Sequence, residues 1–404
     1  MPTSSESGIL VVDKPQGVTS HDVVAAVRSG LRMKRVGHAG TLDPMATGVL
    51  VVGFGNATRL LNYIVGADKT YEATIRLGQF TTTDDADGDI IPWMEKLAHG
   101  GFSPDIRPDA HISGDITDVR SASETLKALD RSRIEQAIAE HFTGRIEQTP
   151  TVFSAIKIDG KRAYDLAREG KDVKLEARPI TISEFTVLTP DIAVTNAADT
   201  DTNADDDDSA DTVAAGESAD GHNATPIIDV TVRVTCSSGT YIRALARDLG
   251  YVLGVGGHLT MLRRTRVGEF DLGTTERFRA VTAHTESRTF TNRDGETITR
   301  NRCTLDYPEP DENNTEAAAK PADETREQHR AYLLSCALSM PESARRTMPC
   351  VDVTADEARE LRFGRWIARR GDGLAAAIHG DDLVAIIQPA NRRQAKPAVV
   401  FPAE

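Results

Sequence analysis

Apolar positions along this chain follow three patterns, and each predicts a different element. Unbroken runs are one: Ile9-Leu10-Val11-Val12 reads as a short buried strand, and Val49-Leu50-Val51-Val52 is a second apolar run of equal length. Alternation is another. Tyr71, Ala73, Ile75 and Leu77 alternate with Glu72, Thr74 and Arg76, the period of a half-buried strand, and Ile228, Val230, Val232 and Val234 repeat it further on. Helical spacing is the third. Val23, Val24, Val27 and Leu31 form one stripe behind Ser20, a candidate cap, and Ile242, Leu245, Leu249 and Val252 form another. Strands and helices come in mixed order, which predicts an α+β fold rather than a doubly wound parallel sheet.

Three stretches break these patterns and read as insertions. Residues 99–125 are rich in Gly, Pro, Ser and Asp; residues 191–225 center on Asp205–Asp208; residues 287–330 are polar and punctuated by Pro308, Pro310 and Pro321. Beyond them, Val351-Asp352-Val353 and the run Leu383 to Ile387 read as short strands, with a helix over 355–363 closed by Gly364 as its C-cap. The predicted organization is a catalytic domain over 1–286 with disordered insertions near 99–125 and 191–225, a linker over 287–345, and a small C-terminal domain over 346–404.

Charge changes the picture once it is located. The net charge of −14 argues against a polyanionic partner, yet residues 191–225 hold nine Asp and one Glu with no Lys or Arg. That stretch alone supplies ten of those charges, and binding depends on local patches rather than on the total. Basic clusters remain at Arg28, Arg32, Lys34 and Arg35, and at Arg263, Arg264 and Arg266. The four cysteines are scattered without a metal-ligand spacing, which predicts neither zinc nor disulfides and suits a reducing cytosol. With no secretory signal and no apolar run long enough to span a bilayer, the expected location is cytoplasmic.

The chemistry concentrates in Gly37-His38-Ala39-Gly40-Thr41-Leu42-Asp43-Pro44-Met45-Ala46-Thr47-Gly48-Val49-Leu50. Pro44 keeps Asp43 out of helical geometry, so one carboxylate sits on a defined corner among glycines that let a ligand approach. Alone, such an Asp is as well read as a turn-former. Three further blocks accompany it in order: Gly8 to Ser20; Lys69-Thr70-Tyr71-Glu72-Ala73 with Thr83-Asp84-Asp85-Ala86-Asp87-Gly88; and Cys236-Ser237-Ser238-Gly239-Thr240-Tyr241-Ile242-Arg243 with His258-Leu259-Thr260-Met261-Leu262-Arg263-Arg264. Together the four blocks resemble the TruB family of pseudouridine synthases, which modify uridine-55 in the T-loop of tRNA.

That resemblance implies a central mixed, largely antiparallel sheet, with a C-terminal PUA-like RNA-binding barrel. It implies Asp43 as the catalytic carboxylate, with Arg243 as its cation and Tyr71 packed on the target base. His38, Tyr241, Leu262 and Asp85 would bind the flipped nucleotide, Asp85 with its register open among neighboring acids. Without the resemblance, Arg243 reads as a surface residue at a helix start, Tyr71 and Leu262 as core, His38 as a loop histidine and Asp85 as part of an acidic turn. If Tyr241 and Arg243 both line a pocket, the chain must still be extended at Tyr241, because positions i and i+2 diverge on a helix. The stretch from Gln148 through Lys157, Lys161, Arg162 and Tyr164 resembles the family's mobile thumb; read alone, it is a hairpin leading into a helix.

Breaking the N1–C1′ bond, turning the base and joining C5 to C1′ loses no atom and transfers no electron, so the implied reaction needs no cofactor. Attack on C1′, attack on C6 and proton removal from C2′ all remain open for Asp43. The implied partner is the T-arm of tRNA, with no membrane and no obligate protein partner, and the protein acting as a monomer. The competing functions are a guide-RNA-dependent synthase and a non-catalytic RNA chaperone.

Overall fold

The computed structural model describes residues 6–107, 124–154, 156–158, 160–169, 173–197, 225–273, 279–291, 296–308 and 322–403. Most of the two insertions expected at 99–125 and 191–225 lies outside the described residues. The chain divides into two compact units, one formed by Met1–Thr70 with Arg263–Glu404 and one by Tyr71–Leu262. Those limits differ from the expected boundaries at 286 and 345, because the chain leaves the first unit and later returns to it.

In the first unit, strand Gly8–Lys14 pairs antiparallel with Thr47–Phe54, setting Val11 opposite Val51. Thr47–Phe54 also takes Val36–Ala39 antiparallel, with His38 opposite Val52, and pairs parallel with Arg263 and Arg264 at Thr47 and Gly48. The sheet is therefore mixed, and the unbroken apolar runs have their explanation in two-sided burial. Ile9, Val11, Val49 and Val51 pack with Leu338, Met340, Ile378, Leu383, Ile386 and Phe401. Leu10, Val12, Leu50 and Val52 face the opposite way, onto Val23, Val27, Leu31, Leu305 and Leu333. A strand sandwiched in this way has no polar face to display, so its sequence shows no alternation.

Helix Ser20–Leu31 forms where the apolar stripe predicts, but its cap is Thr19, in a capping box with Asp22. Ser20 is the first helical residue, which frees its hydroxyl for another use. Residues 287–345, read as a linker, instead contain most of a hairpin, Ala283–Thr291 with Thr297–Leu305, and the helix Ala322–Cys336. The hairpin shows no apolar alternation because its outer part is exposed on both faces, while Cys303 and Leu305 at its base reach the core.

At the C-terminus, strands Cys350–Asp352, Ala375–His379, Asp382–Pro389 and Ala395–Val400 form a sheet in that order, beside helix Ala355–Arg362. The two outer strands are not paired with each other, so the described strands make an open sheet where a closed barrel was expected. This sheet shares the core of Ile9 and Val51 rather than hanging from a tether.

In the second unit, strand Lys69–Leu77, most of which lies in this unit, neighbors Pro226–Cys236, which pairs antiparallel with Arg178–Val187, and that strand with Gly144–Gln148. Helix Ile242–Val252 is buried along nearly its whole length. The thumb-like segment is a short hairpin, Lys157–Ile158 with Lys161–Arg162, followed by helix Ala163–Arg168. Among the described residues no helix is long and apolar enough to cross a membrane.

Because Phe401 fills the shared core, Phe401→Ala should destabilize the first unit by about 3–5 kcal/mol, the usual cost of deleting a buried phenyl ring. Urea unfolding followed by fluorescence measures it. A loss below about 1 kcal/mol would show that the C-terminal sheet is only loosely attached.

Candidate active site

Asp43 is half-buried on a turn closed by the Ala46 amide donating to the Asp43 carbonyl at 3.1 Å, with Pro44 at the second position. Three buried side chains fix the backbone around it. Lys14, at the end of the first strand, donates from Nζ to the carbonyls of Pro15 (2.8 Å), Pro44 (3.3 Å) and Ala46 (2.7 Å). Ser20 Oγ accepts from the Leu42 amide at 2.8 Å and donates to the Leu42 carbonyl at 3.0 Å. Arg264 donates from Nε to Val49 (2.8 Å), from Nη1 to Thr41 (3.3 Å) and from Nη2 to Gly40 (3.1 Å), all at carbonyl oxygens. The Gly17 amide adds a bond to the Pro44 carbonyl at 2.8 Å.

Gly48 makes this arrangement possible. It has φ +101°, and a Cβ there would lie 2.2 Å from the Arg264 carbonyl oxygen. Only glycine lets the strand carrying Arg264 come this close. The basic cluster read at Arg263, Arg264 and Arg266 is engaged internally. Arg264 is 1% exposed, Arg263 is engaged by Asp13 at 2.7 Å, and Arg266 donates to Thr70 Oγ1 and the Gly268 carbonyl. Parity carried the signal: strand alternation from buried Leu262 puts Arg264 on the same face.

His38 stands on strand Val36–Ala39 with its ring edge-on to His21 at 5.5 Å. Burial, reinforced by the neighboring His21, lowers its pKa and holds the ring neutral at pH 7. Its Nδ1 is buried without a hydrogen-bond partner, leaving one polar atom available to a ligand.

The second unit holds the other named residues. The Gln148 amide clamps the backbone of Tyr241, donating to its carbonyl at 3.0 Å and accepting from its N–H at 2.9 Å. Tyr241 is extended (φ −103°, ψ 107°) and helix Ile242–Val252 begins directly after it, as the divergence of Tyr241 and Arg243 requires. Arg243 and Arg247 then project one helical turn apart. Arg243 donates to the carbonyls of Thr83 (3.0 Å) and Phe153 (2.9 Å) and pairs with Asp85 at 3.1 Å. Arg247 pairs with Asp84 at 3.2 Å and Asp248 at 2.8 Å, and Lys96 reaches the other oxygen of Asp84 at 2.5 Å.

These pairs show where the two acids point. Asp84, at φ +62°, is buried; burial opposes its charge, but Lys96 and Arg247 more than offset this and lower its pKa. Asp85 is also buried, and burial raises its pKa although Arg243 works against the rise. Where Asp85 was expected to face extruded RNA, it is turned inward, with Thr83 Oγ1, the Asp87 amide and Arg243 as partners. Tyr71 and Leu262 are buried, at 7% and 6% exposure, on neighboring strands.

Sequence reasoning missed the roles of Lys14, Ser20, Gln148, Arg247 and Arg264, although all but Arg247 stood inside segments it singled out. A lysine or arginine beside an apolar run reads as surface until its carbonyl partners are known.

Burial lowers the Lys14 pKa from its ordinary 10.5 to about 8, so holding the ammonium there costs on the order of 3 kcal/mol. Between pH 8 and 10.5 the unfolded chain keeps this proton and the folded one releases it, so stability from this group rises with pH. Thermal melts should show wild type gaining on Lys14→Met across that window. Parallel melting curves would mean Lys14 titrates normally.

Comparison with known proteins identifies the family. The family models described as TruB family pseudouridylate synthase (N terminal domain), tRNA pseudouridylate synthase B C-terminal domain, and tRNA Pseudouridine synthase II, C terminal match residues 28–100 with 109–204, 243–296 and 348–402 respectively. The chain is 51% identical to tRNA pseudouridine synthase B of Bifidobacterium longum, with 99% of each chain covered. It is 37% identical to the protein of the same name from an Arthrobacter species, covering 98% of this chain and 96% of that one. A solved H/ACA RNP bound to a substrate RNA containing 2′-deoxyuridine contains a chain of the same fold, with TM-score 0.52, 20% identity, and coverage of 98% and 85%. A loop built around one aspartate, matched domain by domain and in full-length relatives, places this chain in the TruB family of pseudouridine synthases.

Proposed function

We propose that this protein is a tRNA pseudouridine-55 synthase, an isomerase acting on the T-arm of tRNA in the cytoplasm. It works as a monomer, without a cofactor or an obligate protein partner. The observation that carries this reading is the loop at Asp43, whose backbone is fixed by two buried cations and a serine while Asp43 itself is only half-buried.

Asp43 supplies the carboxylate that acts on uridine, and Arg243 supplies positive charge beside it in the complex with RNA. Gln148, through Tyr241, and Asp85 hold Arg243 in position, which makes Asp85 a positioning residue rather than an RNA contact. Tyr71 stacks on the base, Leu262 and Tyr241 complete its pocket, and neutral His38 offers its free ring nitrogen to the displaced nucleotide. The reaction conserves every atom and is redox-neutral, so these groups meet its chemical demands. Incubating purified protein alone with unmodified tRNA and mapping the product separates this reading from its competitors. A guide-RNA-dependent enzyme or a chaperone would form no pseudouridine at position 55 under those conditions.

Asp43→Asn keeps shape but loses charge and nucleophilicity, so pseudouridine formation should vanish while tRNA binding survives. Activity within about tenfold of wild type, a barrier change of only ~1.4 kcal/mol, would refute the assigned role.

Arg243→Ala should lower kcat steeply. Arg243→Lys should rescue little, because one ammonium does not reproduce the fork that spans Thr83, Phe153 and Asp85. Asp85→Asn should cost less than Arg243→Ala, since the two carbonyl bonds remain. Single-turnover rates at saturating tRNA give this ranking, and an Asp85→Asn loss exceeding that of Arg243→Ala would overturn it.

A further inference from the structure

The hairpin Ala283–Thr291 with Thr297–Leu305 has no part in the proposed chemistry, yet it carries an unusual surface. Its register sets Glu286 opposite Arg302, Arg288 opposite Arg300 and Phe290 opposite Ile298. Strand alternation puts these residues on one face and a run of Thr, Ser and Asn on the other. Two arginines facing each other across a ladder destabilize an isolated hairpin. Glu286 approaches Arg288 at 3.3 Å, and the Arg300 guanidinium lies over the Phe290 ring at 5.6 Å. Among the described residues no carboxylate forms an ion pair with Arg300 or Arg302, so this face keeps net positive charge.

At the hairpin base, Arg302 and Thr304 line a cavity of about 370 Å³ together with Arg32 and Arg326, Ser29 and His329. Arginines from three elements meet there. The base is also tied to the catalytic loop: Thr285 Oγ1 donates to the Gln16 carbonyl at 2.6 Å and Asn301 Nδ2 to the Gly17 carbonyl at 2.9 Å. The Gly17 amide in turn bonds the carbonyl of Pro44, the residue after Asp43. From that root, strands of nine residues extend roughly 30 Å.

We propose that the arginine face of this hairpin, with the cavity at its base, is a second RNA-binding surface that holds backbone phosphates of the tRNA whose uridine reaches Asp43. The inference rests on the reading of tRNA as substrate and adds a subsite to it. Arginine suits the task because its planar fork matches phosphate oxygens, and Phe290, exposed at the outer end, offers a ring to an unpaired base. Neither group reads sequence, so the surface contributes affinity rather than choice of base.

The test is filter binding of unmodified tRNA over a range of salt concentrations, with Arg288→Gln/Arg300→Gln/Arg302→Gln compared with wild type. Affinity at physiological salt should fall at least about tenfold. The slope of log K against log salt should flatten by about two, since each phosphate that goes unneutralized takes roughly 0.7–0.9 from it. At saturating tRNA kcat should stay within about twofold. The matching triple Lys variant should keep most of the slope, and Thr289→Ala/Thr299→Ala on the opposite face should bind like wild type. Arg300→Gln alone, an exposed change that leaves the fold intact, should flatten the slope by just under one. Wild-type affinity and slope in both Gln variants, with normal isomerization, would overturn this inference and leave the proposed function standing. Arginine-dependent binding by a protein that makes no pseudouridine would support the surface while overturning the proposed function.

Discussion

Two buried cations bonded to backbone carbonyls are the constraint on which the rest of this molecule depends. Lys14 and Arg264 enter from different strands and between them take the carbonyls of Pro15, Gly40, Thr41, Pro44, Ala46 and Val49. A glycine-rich loop has the greatest backbone entropy to lose, so a carboxylate on it would otherwise sample many positions. Charge-assisted bonds contribute about 1.5–3 kcal/mol each where the donor is well placed, enough together to hold one conformation against that entropy. The cost is visible at Lys14, whose proton is held weakly.

Arg243 is placed by the opposite strategy. Its helix start is fixed by a neutral amide clamp at Gln148, and its guanidinium by one carboxylate and two carbonyls. One turn along, Arg247 with Asp84, Asp248 and Lys96 forms a fully buried ionic cluster that anchors the same loop as Asp85. Such clusters contribute little net stability compared with apolar packing, but removing one member strands the others. Their value here is positional, because Asp84 sits at positive φ and needs partners on both oxygens to stay there.

Much of this is legible in the sequence. The strand at Ile9–Val12, the helix stripe from Val23 to Leu31 and the α+β class follow from periodicity, whereas the extended backbone at Tyr241 follows from placing Tyr241 and Arg243 in one pocket, as the resemblance implies. What fails does so for identifiable reasons. Arg264 reads as surface because its charge outweighs its parity, and only the close approach at Gly48 shows why a cation can be buried there. Asp85 reads as outward because its carboxylate has no periodic context, and its direction is decided by Arg243, distant in sequence. The hairpin at 283–305 reads as linker because exposure on both faces erases the alternation that marks a strand. The C-terminal sheet reads as separable because sequence shows its strands but not that Phe401 and Ile386 pack against Ile9 and Val51.

Total charge is a poor guide to the partner for a related reason. Cations divide here into two populations that composition counts alike. Lys14, Arg243, Arg247 and Arg264 are buried and held by internal acceptors, so they do not present their donors at the surface. Arg288, Arg300 and Arg302 are exposed on a single face. A chain of net charge −14 can therefore approach RNA if its acids are segregated from its exposed arginines. Ten of the acids fall within one stretch of sequence at 191–225, and the three hairpin arginines rise from a base bonded to Gln16 and Gly17. Because screening limits exposed charges to about 8 Å at physiological salt, local placement, not the sum, sets the attraction.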